Sequence, residues 1–591
     1  MWDRLRESFQ HAPRTLRLVF RSSPGGTVTL GALTLLAATI PLGVAYIGKA
    51  IVDAVVAHAR DAAVRWVLVE LALVVAQSLV QRALLLVRTL LGARLSIDIN
   101  VLILEKALGL DLLHFEDPDF YDRLMRARRE AAARPLSVVT EAFQLLQNVI
   151  TLAGYVALLL RFSGVAVLGL VIGAVPATII EMKFSSTAFR TRVARSPEAR
   201  QMNYLEYVLA NDHHAKEIRL FGIGPLLFDR YKALGESFYV EDRRIALQRA
   251  GWAWALSLFG TLAFYGSYVV MAIAAALGAL SLGDMVLYVM AFRQGQLAFQ
   301  AILTALGGMY EDNLYMSNLF EYLSVAAAPP ATLEPAAPEV EEGIRFVGVG
   351  FRYSGKDEWA IRDLDLFIPR GHSLALVGHN GAGKTTFIKL LTRLYEPTEG
   401  RILLDGKDVR AWDLDALRRR IGVVFQDYNQ YQFKVRDNIG LGSVEHRGDD
   451  ARIERAARRG GAAEVVEGLR DGIETQLGRW FKDGVELSGG QWQKIALSRA
   501  FMREEADILV LDEPTAALDA VAEHAVFERF KTLAEGRTTI LVSHRFPTVR
   551  MADTIVVLEG GRILEQGTHD ALVAEGGRYA QLFALQARGY M

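Results

Sequence analysis

The chain has no cysteine among its 591 residues, which excludes disulfide bridges, thiolate metal sites and a cysteine-protease mechanism. It also lacks an excess of either charge: 66 Lys and Arg stand against 67 Asp and Glu, a formal net charge of −1. That balance gives no general argument for nucleic acid as a partner. The N-terminal stretch MWDRLRESFQHAPRTLRLVF is basic and amphipathic, with no short apolar core and small-residue cleavage site after it, so no cleaved signal peptide is expected.

What the chain has in quantity is apolar side chains. Hydrophobic residues make up 51% of it and its mean hydropathy is positive, which a soluble enzyme rarely shows, and its length exceeds one ordinary domain. A helix needs about 20 apolar residues to cross a bilayer. Stretches that meet or approach this run from about Val28 to Val56, Val64 to Leu86, Val138 to Leu160, Val165 to Ile180, Trp252 to Leu277 and Met285 to Leu306.

The connections between these stretches are uneven. The third and fourth are joined by Arg161-Phe162-Ser163-Gly164 alone, whereas the second-to-third and fourth-to-fifth connections are long and rich in Arg and Lys. By the positive-inside rule the long connections and both termini lie in the cytoplasm. Apolar residues at three- and four-residue spacing (Leu95, Ile99, Leu102, Ile103) imply membrane helices that continue beyond the bilayer. Each long connection is broken near its far end. In the first, Asp117 as cap and Pro118 at the first helical position predict the start of a short transverse helix; in the second, Gly222, Gly224 and Pro225 predict a helix end. Polar residues inside the spans, among them Glu70, Gln81, Gln147, Asn148, Arg293 and Gln300, accompany the aromatics Trp252, Trp254, Phe259, Tyr265 and Tyr268. Singly they read as helix–helix hydrogen bonds and interfacial anchors; together they suggest a wide, mixed polar and aromatic cavity.

Residues 325–342 are rich in Ala, Pro and Glu and read as an extended linker. Beyond it, short apolar runs and glycine turns alternate with amphipathic helices, the pattern of an α/β domain with a largely parallel sheet. The expected division is a membrane all-α region over 1–324, the linker over 325–342, and an α/β P-loop NTPase domain over 343–591.

The strongest local signal is the run Gly378, His379, Asn380, Gly381, Ala382, Gly383, Lys384, Thr385, Thr386, which fits G-x-x-x-x-G-K-[ST]. Its glycines let backbone N–H groups turn inward onto phosphate oxygens, with the following helix adding its positive end. Lys384 is placed to reach the β- and γ-phosphates, and Thr385 to hold Mg²⁺. The run Ile508-Leu509-Val510-Leu511-Asp512-Glu513 reads as a buried strand ending in two carboxylates. Asp512 would hold the metal ion, and Glu513 would orient or deprotonate the attacking water. Between the two lies Leu487-Ser488-Gly489-Gly490-Gln491, where Ser488 can cap a helix whose exposed N–H groups form a second anion site.

With these in place, the sequence resembles the ATP-binding cassette (ABC) transporter family, over almost its whole length. LSGGQ matches that family's signature; Tyr353 resembles its adenine-stacking tyrosine; Gln426 matches the Q-loop glutamine that senses Mg²⁺; Asp519 matches the D-loop; and His544 matches the switch histidine on the γ-phosphate. The resemblance implies six transmembrane helices of exporter type fused to one cassette, coupling helices at the two breaks, and ATP with Mg²⁺ held between two chains. Glu513, Lys384 and His544 would be the catalytic set, with Thr385, Gln426 and Asp512 on the metal and the signature residues closing the nucleotide site from across the interface.

Because Glu513, His544 and LSGGQ are all intact, two copies of this chain are expected to pair, a heterodimer being the other possibility. A multi-pass protein of the bacterial plasma membrane is implied, with the cassette cytoplasmic. Arg479 and Trp480 stand where many multidrug exporters carry an acidic residue beside glycine. With LSGGQWQKIALSRAF, this resembles exporters of antimicrobial-peptide type, but without the N-terminal cysteine peptidase domain that some of them carry. Export of a small molecule or peptide is the leading expectation. An importer or lipid flippase on the same fold remains open, and a soluble two-cassette ATPase acting on nucleic acid is argued against by the apolar stretches.

Overall fold

The computed structural model describes residues 12–117, 120, 124–125, 134–162, 164–325, 342–353, 355–513, 536–543 and 545–589. The chain divides into two compact units: Met1–Leu108 with Asp122–Ala326, and Gly109–Tyr121 with Ala327–Met591.

The first unit is helical throughout the described residues. A short helix α1 (Ala12–Ser22) leads into α2 (Pro24–Val56), then α3 (Arg60–Leu108), and a further short helix, α4 (Leu112–Glu116), follows in the segment that joins the second unit. Next come α5 (Arg134–Phe162), α6 (Gly164–Ala194), α7 (Ser196–Ala210), α8 (Asp212–Leu220), α9 (Gly224–Ala276) and α10 (Leu282–Ser324). Among the described residues, four of these are long and apolar enough to cross a membrane: α2, α3, α5 and α9. The other two expected spans fall in α6 and α10, helices of 31 and 43 residues.

Helix starts follow local chemistry. Ser23 caps α2 by accepting from Gly26 N at 3.3 Å, with Pro24 at the first position, and Ser281 caps α10 by accepting from Asp284 N at 2.9 Å. As the apolar spacing predicts, α3 and α9 run to 49 and 53 residues, well past membrane thickness. Tyr155, Leu159, Leu170, Ala291 and Phe292 form a buried cluster that knits α5, α6 and α10 together. At one end of α2 and α10, Lys49 pairs with Asp284 at 2.5 Å and Ser281 donates to Asp53 at 2.9 Å.

At the breaks the outcome is mixed. In the first connection the short helix is α4, which ends at Glu116, before Asp117; Pro118, where a helix start was expected, lies outside the described residues. In the second, α8 is capped by Asn211, which accepts from His213 N, and the chain turns at Gly222 with φ 63°. Pro225 does not end that helix. It occupies the first turn of α9, where its missing N–H costs nothing.

The second unit contains two sheets. One has the order β2-β1-β4-β5, all antiparallel, from β1 (Gly343–Phe351), β2 (Ile361–Pro369), β4 (Glu399–Leu404) and β5 (Lys407–Asp408). The other has the order β10-β9-β3-β8-β7-β6, from β3 (Ser373–Val377), β6 (Ile421–Val424), β7 (Ile508–Asp512), β8 (Thr538–Val542), β9 (Thr554–Glu559) and β10 (Arg562–Gly567). Its five strands from β9 to β6 are parallel, and β10 closes the edge antiparallel. Buried parallel strands read as continuous apolar runs, and Leu374 to Val377 and Ile508 to Leu511 are buried throughout. Helix α11 (Lys384–Leu391) follows β3, and its Phe387, Ile388, Leu390 and Leu391 complete a core shared by both sheets, with Phe387 stacked on Phe346 at 4.4 Å.

A second core lies between α12 (Asp450–Gly460) and α13 (Gly489–Phe501). There a Cβ on Gly460 would stand 2.4 Å from Ser498 N and 2.5 Å from its Cα. Gly460→Ala should therefore force two backbones apart at a cost of about 1–3 kcal/mol. A thermal melt of the purified protein should show a clear drop for Gly460→Ala and none for Gly448→Ala, where nothing lies within 4 Å; equal melting points would contradict this close crossing.

Candidate nucleotide site

In a parallel sheet the carboxyl ends of adjacent strands share one edge, and loops leaving it converge on a ligand. Here β3, β8 and β7 are neighbours, with Leu376 opposite Val542 and Val542 opposite Asp512. This register brings the loop after β3, the acids ending β7 and the turn after β8 to the same edge.

The loop from Gly378 to Gly383 has little room for side chains where it meets the sheet. A Cβ on Gly378 would come within 2.4 Å of Leu558 O, and one on Gly383 within 2.7 Å of Ala360 O, at a φ of 104° that favours glycine. His379 and Asn380 are exposed, whereas Ala382, Gly383, Lys384 and Thr386 are buried. The Lys384 ammonium donates back to Gly378 O at 2.7 Å and His379 O at 3.0 Å, so it is folded against the loop it would serve. Burial pushes its pKa below the ordinary lysine value, while the carboxylates of Glu513 and Asp512 act in the opposite direction.

Thr385 donates to Asp512 Oδ2 at 3.3 Å, and Gln426 donates through Nε2 to Glu513 Oε2 at 3.0 Å. Thus Thr385, Asp512, Gln426 and Glu513 stand together at the carboxyl edge of the sheet. Glu513 adopts φ 48°, a left-handed backbone that costs a non-glycine residue about 1–3 kcal/mol and recurs at active sites. Its N–H donates to Val542 O at 2.9 Å, which ties it to β8. Thr385, Asp512 and Gln426 offer only hard oxygen donors, a set that fits Mg²⁺ shared with phosphate.

The Tyr353 hydroxyl lies 3.0 Å from Thr386 Oγ1, and its ring meets Phe351 and Tyr395 edge-on at 5.1 and 5.6 Å. The predicted adenine-stacking residue therefore flanks the loop helix α11. Ser488 caps α13 through a capping box: Gln491 N donates to Ser488 Oγ at 3.3 Å and Ser488 N to Gln491 Oε1 at 2.9 Å. Gly489 O accepts from the Tyr428 hydroxyl at 2.9 Å, and Gly490 continues the same first turn. Among the described residues no hydrogen bond joins this turn to the phosphate loop. His544 and Asp519 lie outside the described residues. Ahead of the signature, Arg479 pairs with Glu486 at 3.5 Å and Trp480 is 84% exposed.

Two residue pairings near the site are not specified by local sequence. Helix α14 (Arg578–Gly589) reaches the loop from nearly 200 positions away: Arg578 donates to His379 Nε2. From the same helix, Gln586 Oε1 accepts from Phe546 N at 3.3 Å, and Tyr579 and Phe583 pack edge-on against the Phe546 ring. The other contact is made by α4, whose Leu112 and Leu113 rest on the shared core while Glu116 accepts from Lys389 of α11 at 3.0 Å.

A parallel sheet carrying a phosphate loop, paired strand-end acids and a capped glycine turn, behind long apolar helices, defines a membrane protein fused to a P-loop ATPase. The family described as ABC transporter matches residues 361–516. The chain is 28% identical to the subtilin transport ATP-binding protein SpaT of Bacillus subtilis, over 95% of this chain and 92% of that one. It is 30% identical to an ATP-dependent lipid A-core flippase of Alcanivorax borkumensis, over 70% of this chain and 69% of the flippase. A solved structure of a bacterial Atm1-family ABC exporter with ATP bound superposes with a TM-score of 0.78 at 25% identity, covering 95% of this chain and 98% of that one. The chain belongs to the ABC transporter family, as a multi-pass half-transporter of exporter type that binds ATP and couples its hydrolysis to transport.

Two expectations follow from the site. Burial pushes the Asp512 carboxyl up to about 6; the Thr385 hydroxyl opposes the rise and Glu513 adds to it. A raised folded-state pKa means that stability is lost as pH rises from the ordinary carboxyl range through about 6. Nucleotide-free Asp512→Asn should accordingly melt higher than the native chain above pH 6, the gap closing toward pH 4; a gap independent of pH would contradict the assignment. In steady-state ATPase assays, Arg578→Ala should raise KM for ATP several-fold with little change in kcat, because it frees the loop at His379. An unchanged KM would show that this contact is idle.

Proposed function

We propose that two copies of this chain form the working transporter, exporting a peptide or small molecule across the bacterial plasma membrane, with both termini and the cassette on the cytoplasmic side. The observation that carries the hydrolytic part is the pairing of Glu513 with Gln426 beside the Asp512–Thr385 pair, at 3.0 and 3.3 Å. In this reading Glu513 takes a proton from the attacking water as the new bond to the γ-phosphorus forms. The bond to the bridging oxygen breaks, and ADP carries the released charge. Lys384 and His544 stabilise charge on the phosphate oxygens, and Tyr353 stacks on adenine. Mg²⁺ on Thr385, Asp512 and Gln426 would supply further charge neutralisation. Ser488 to Gln491 and Asp519 complete the site of the opposite copy, as the family resemblance implies.

Closure of the two cassettes would move the spans through α4, which is covalently continuous with α3 and seated on α11 through Glu116 and Lys389. The α8 segment, whose Leu220 and the following Phe221 are 78% and 68% exposed, offers a second coupling contact. A peptide substrate is supported by the segment before the signature and by similarity to a relative named for subtilin transport. Equivalent copies are favoured by the intact Glu513, Ser488 and His544, and by the general prevalence of two-fold assemblies.

Glu513→Gln should keep nucleotide binding and lose at least about 100-fold in turnover, the scale on which general-base catalysis contributes. Full hydrolysis by that variant would remove Glu513 from the mechanism. In vesicles, ATP-driven accumulation of substrate inside inverted membranes is expected, and uptake confined to right-side-out vesicles would reverse the direction.

A further inference from the structure

Helix α1 presents three different faces. Thr15 and Val19, four residues apart, are fully buried, whereas Leu16 and Phe20, also four apart, are 43% and 47% exposed. Arg14, Arg17 and Arg21, spaced by three and four, share a third face that is exposed along its length. A soluble surface helix needs only two faces, one for the core and one for water. The extra apolar face suits a helix lying in a membrane interface: one side on protein, one on hydrocarbon, one among headgroups. The position agrees, because α1 ends at Ser22 and the first membrane-crossing helix, α2, begins at Pro24.

The apolar face of α1 does not lie flat against its neighbours. It leaves an open groove of about 500 Å³ between α1, the start of α2 and α5, with Leu16, Phe20, Val28, Gly31 and Phe143 as its walls and Arg17 at its edge. At Gly31 a Cβ would meet only the Phe143 ring, at 3.4 Å, so a larger side chain there would project into the groove. The lining is otherwise almost entirely apolar. Among the described residues none of the three arginines has a carboxylate partner. The acid tied to the end of α1, Asp98, is engaged by the Ser22 hydroxyl and by Arg94.

We propose that this groove is a binding site for an anionic phospholipid of the leaflet in which α1 lies. An acyl chain occupies the channel along Leu16, Phe20, Val28 and Phe143, and the phosphate and anionic headgroup rest on Arg17 with Arg14 and Arg21 beside it. A zwitterionic lipid fills the same channel but offers no net charge to three adjacent guanidinium groups, so the site discriminates by headgroup. The inference requires α1 to lie at a membrane and is independent of the substrate and of the catalytic roles proposed above.

The test uses the purified full-length protein, titrated in detergent with dioleoyl phosphatidylglycerol or with dioleoyl phosphatidylcholine, and read by native mass spectrometry. The first phosphatidylglycerol adduct should form at several-fold lower concentration than the phosphatidylcholine adduct. The variant Arg14→Gln/Arg17→Gln/Arg21→Gln should lose that difference while still binding phosphatidylcholine as the native chain does. Gly31→Leu, which fills the channel, should weaken the first adduct of both lipids. If the triple variant does not fold, Arg17→Gln alone carries the same expectation at reduced size, with unchanged ATPase activity as the check on folding. Equal affinity of the native protein for both lipids overturns the proposal. So does a phosphatidylglycerol preference that survives loss of the arginines, because the lipid would then sit elsewhere.

Discussion

The site depends on the parallel pairing of β3, β8 and β7. Register in a sheet is rigid, because a slip by one residue would turn every side chain to the other face. With Leu376 opposite Val542 and Val542 opposite Asp512, the loop that leaves β3 and the acids that end β7 cannot avoid one another. Glycine contributes where backbone approaches backbone, at Gly378 against Leu558 and Gly383 against Ala360. The resulting local chemistry is uneasy: an ammonium buried below its ordinary pKa, a carboxyl pushed up to about 6, and Glu513 in a left-handed backbone. Such stresses persist only where the surrounding fold over-determines them, and they cluster at functional sites.

Much of this was legible in the sequence, since its signals are local. A phosphate loop is a spacing of glycines, a buried parallel strand is an unbroken apolar run, and a helix start is a capping residue. Those patterns located Gly378 to Thr386, Asp512, Glu513 and Ser488, and the three- and four-residue apolar spacing foretold that α3 and α9 outrun the bilayer. Pairings between distant positions were not legible. Nothing near His379 announces Arg578, and nothing near Glu116 announces Lys389, because the sheet and its connections bring them together. At Pro225 the structure departs from the sequence pattern for a related reason. A proline marks a helix boundary, but the first turn tolerates it as readily as the end excludes it, and here it opens α9.

Helix α11 serves two contacts within the second unit. The helix that carries Lys384 at its start carries Lys389 on its second turn, and Lys389 holds Glu116 of α4. In the proposed reading, rearrangement of the phosphate loop would act through this one helix and one ion pair on α4. A partly exposed pair of this kind contributes about 0–1 kcal/mol. It can set the register of a docked helix without locking it. The apolar contacts of Leu112 and Leu113 supply the rest of the seat.

In the proposed mechanism the energy of ATP hydrolysis at the cassette reaches the spans through α4. The most direct measurement is a charge-swap cycle at Glu116 and Lys389, reading substrate transport per ATP hydrolysed in reconstituted vesicles. The account predicts that Glu116→Lys lowers this ratio several-fold while basal hydrolysis persists, and that adding Lys389→Glu restores it. A ratio unchanged by Glu116→Lys, or unrestored by the double swap in a protein that still hydrolyses ATP, would contradict it.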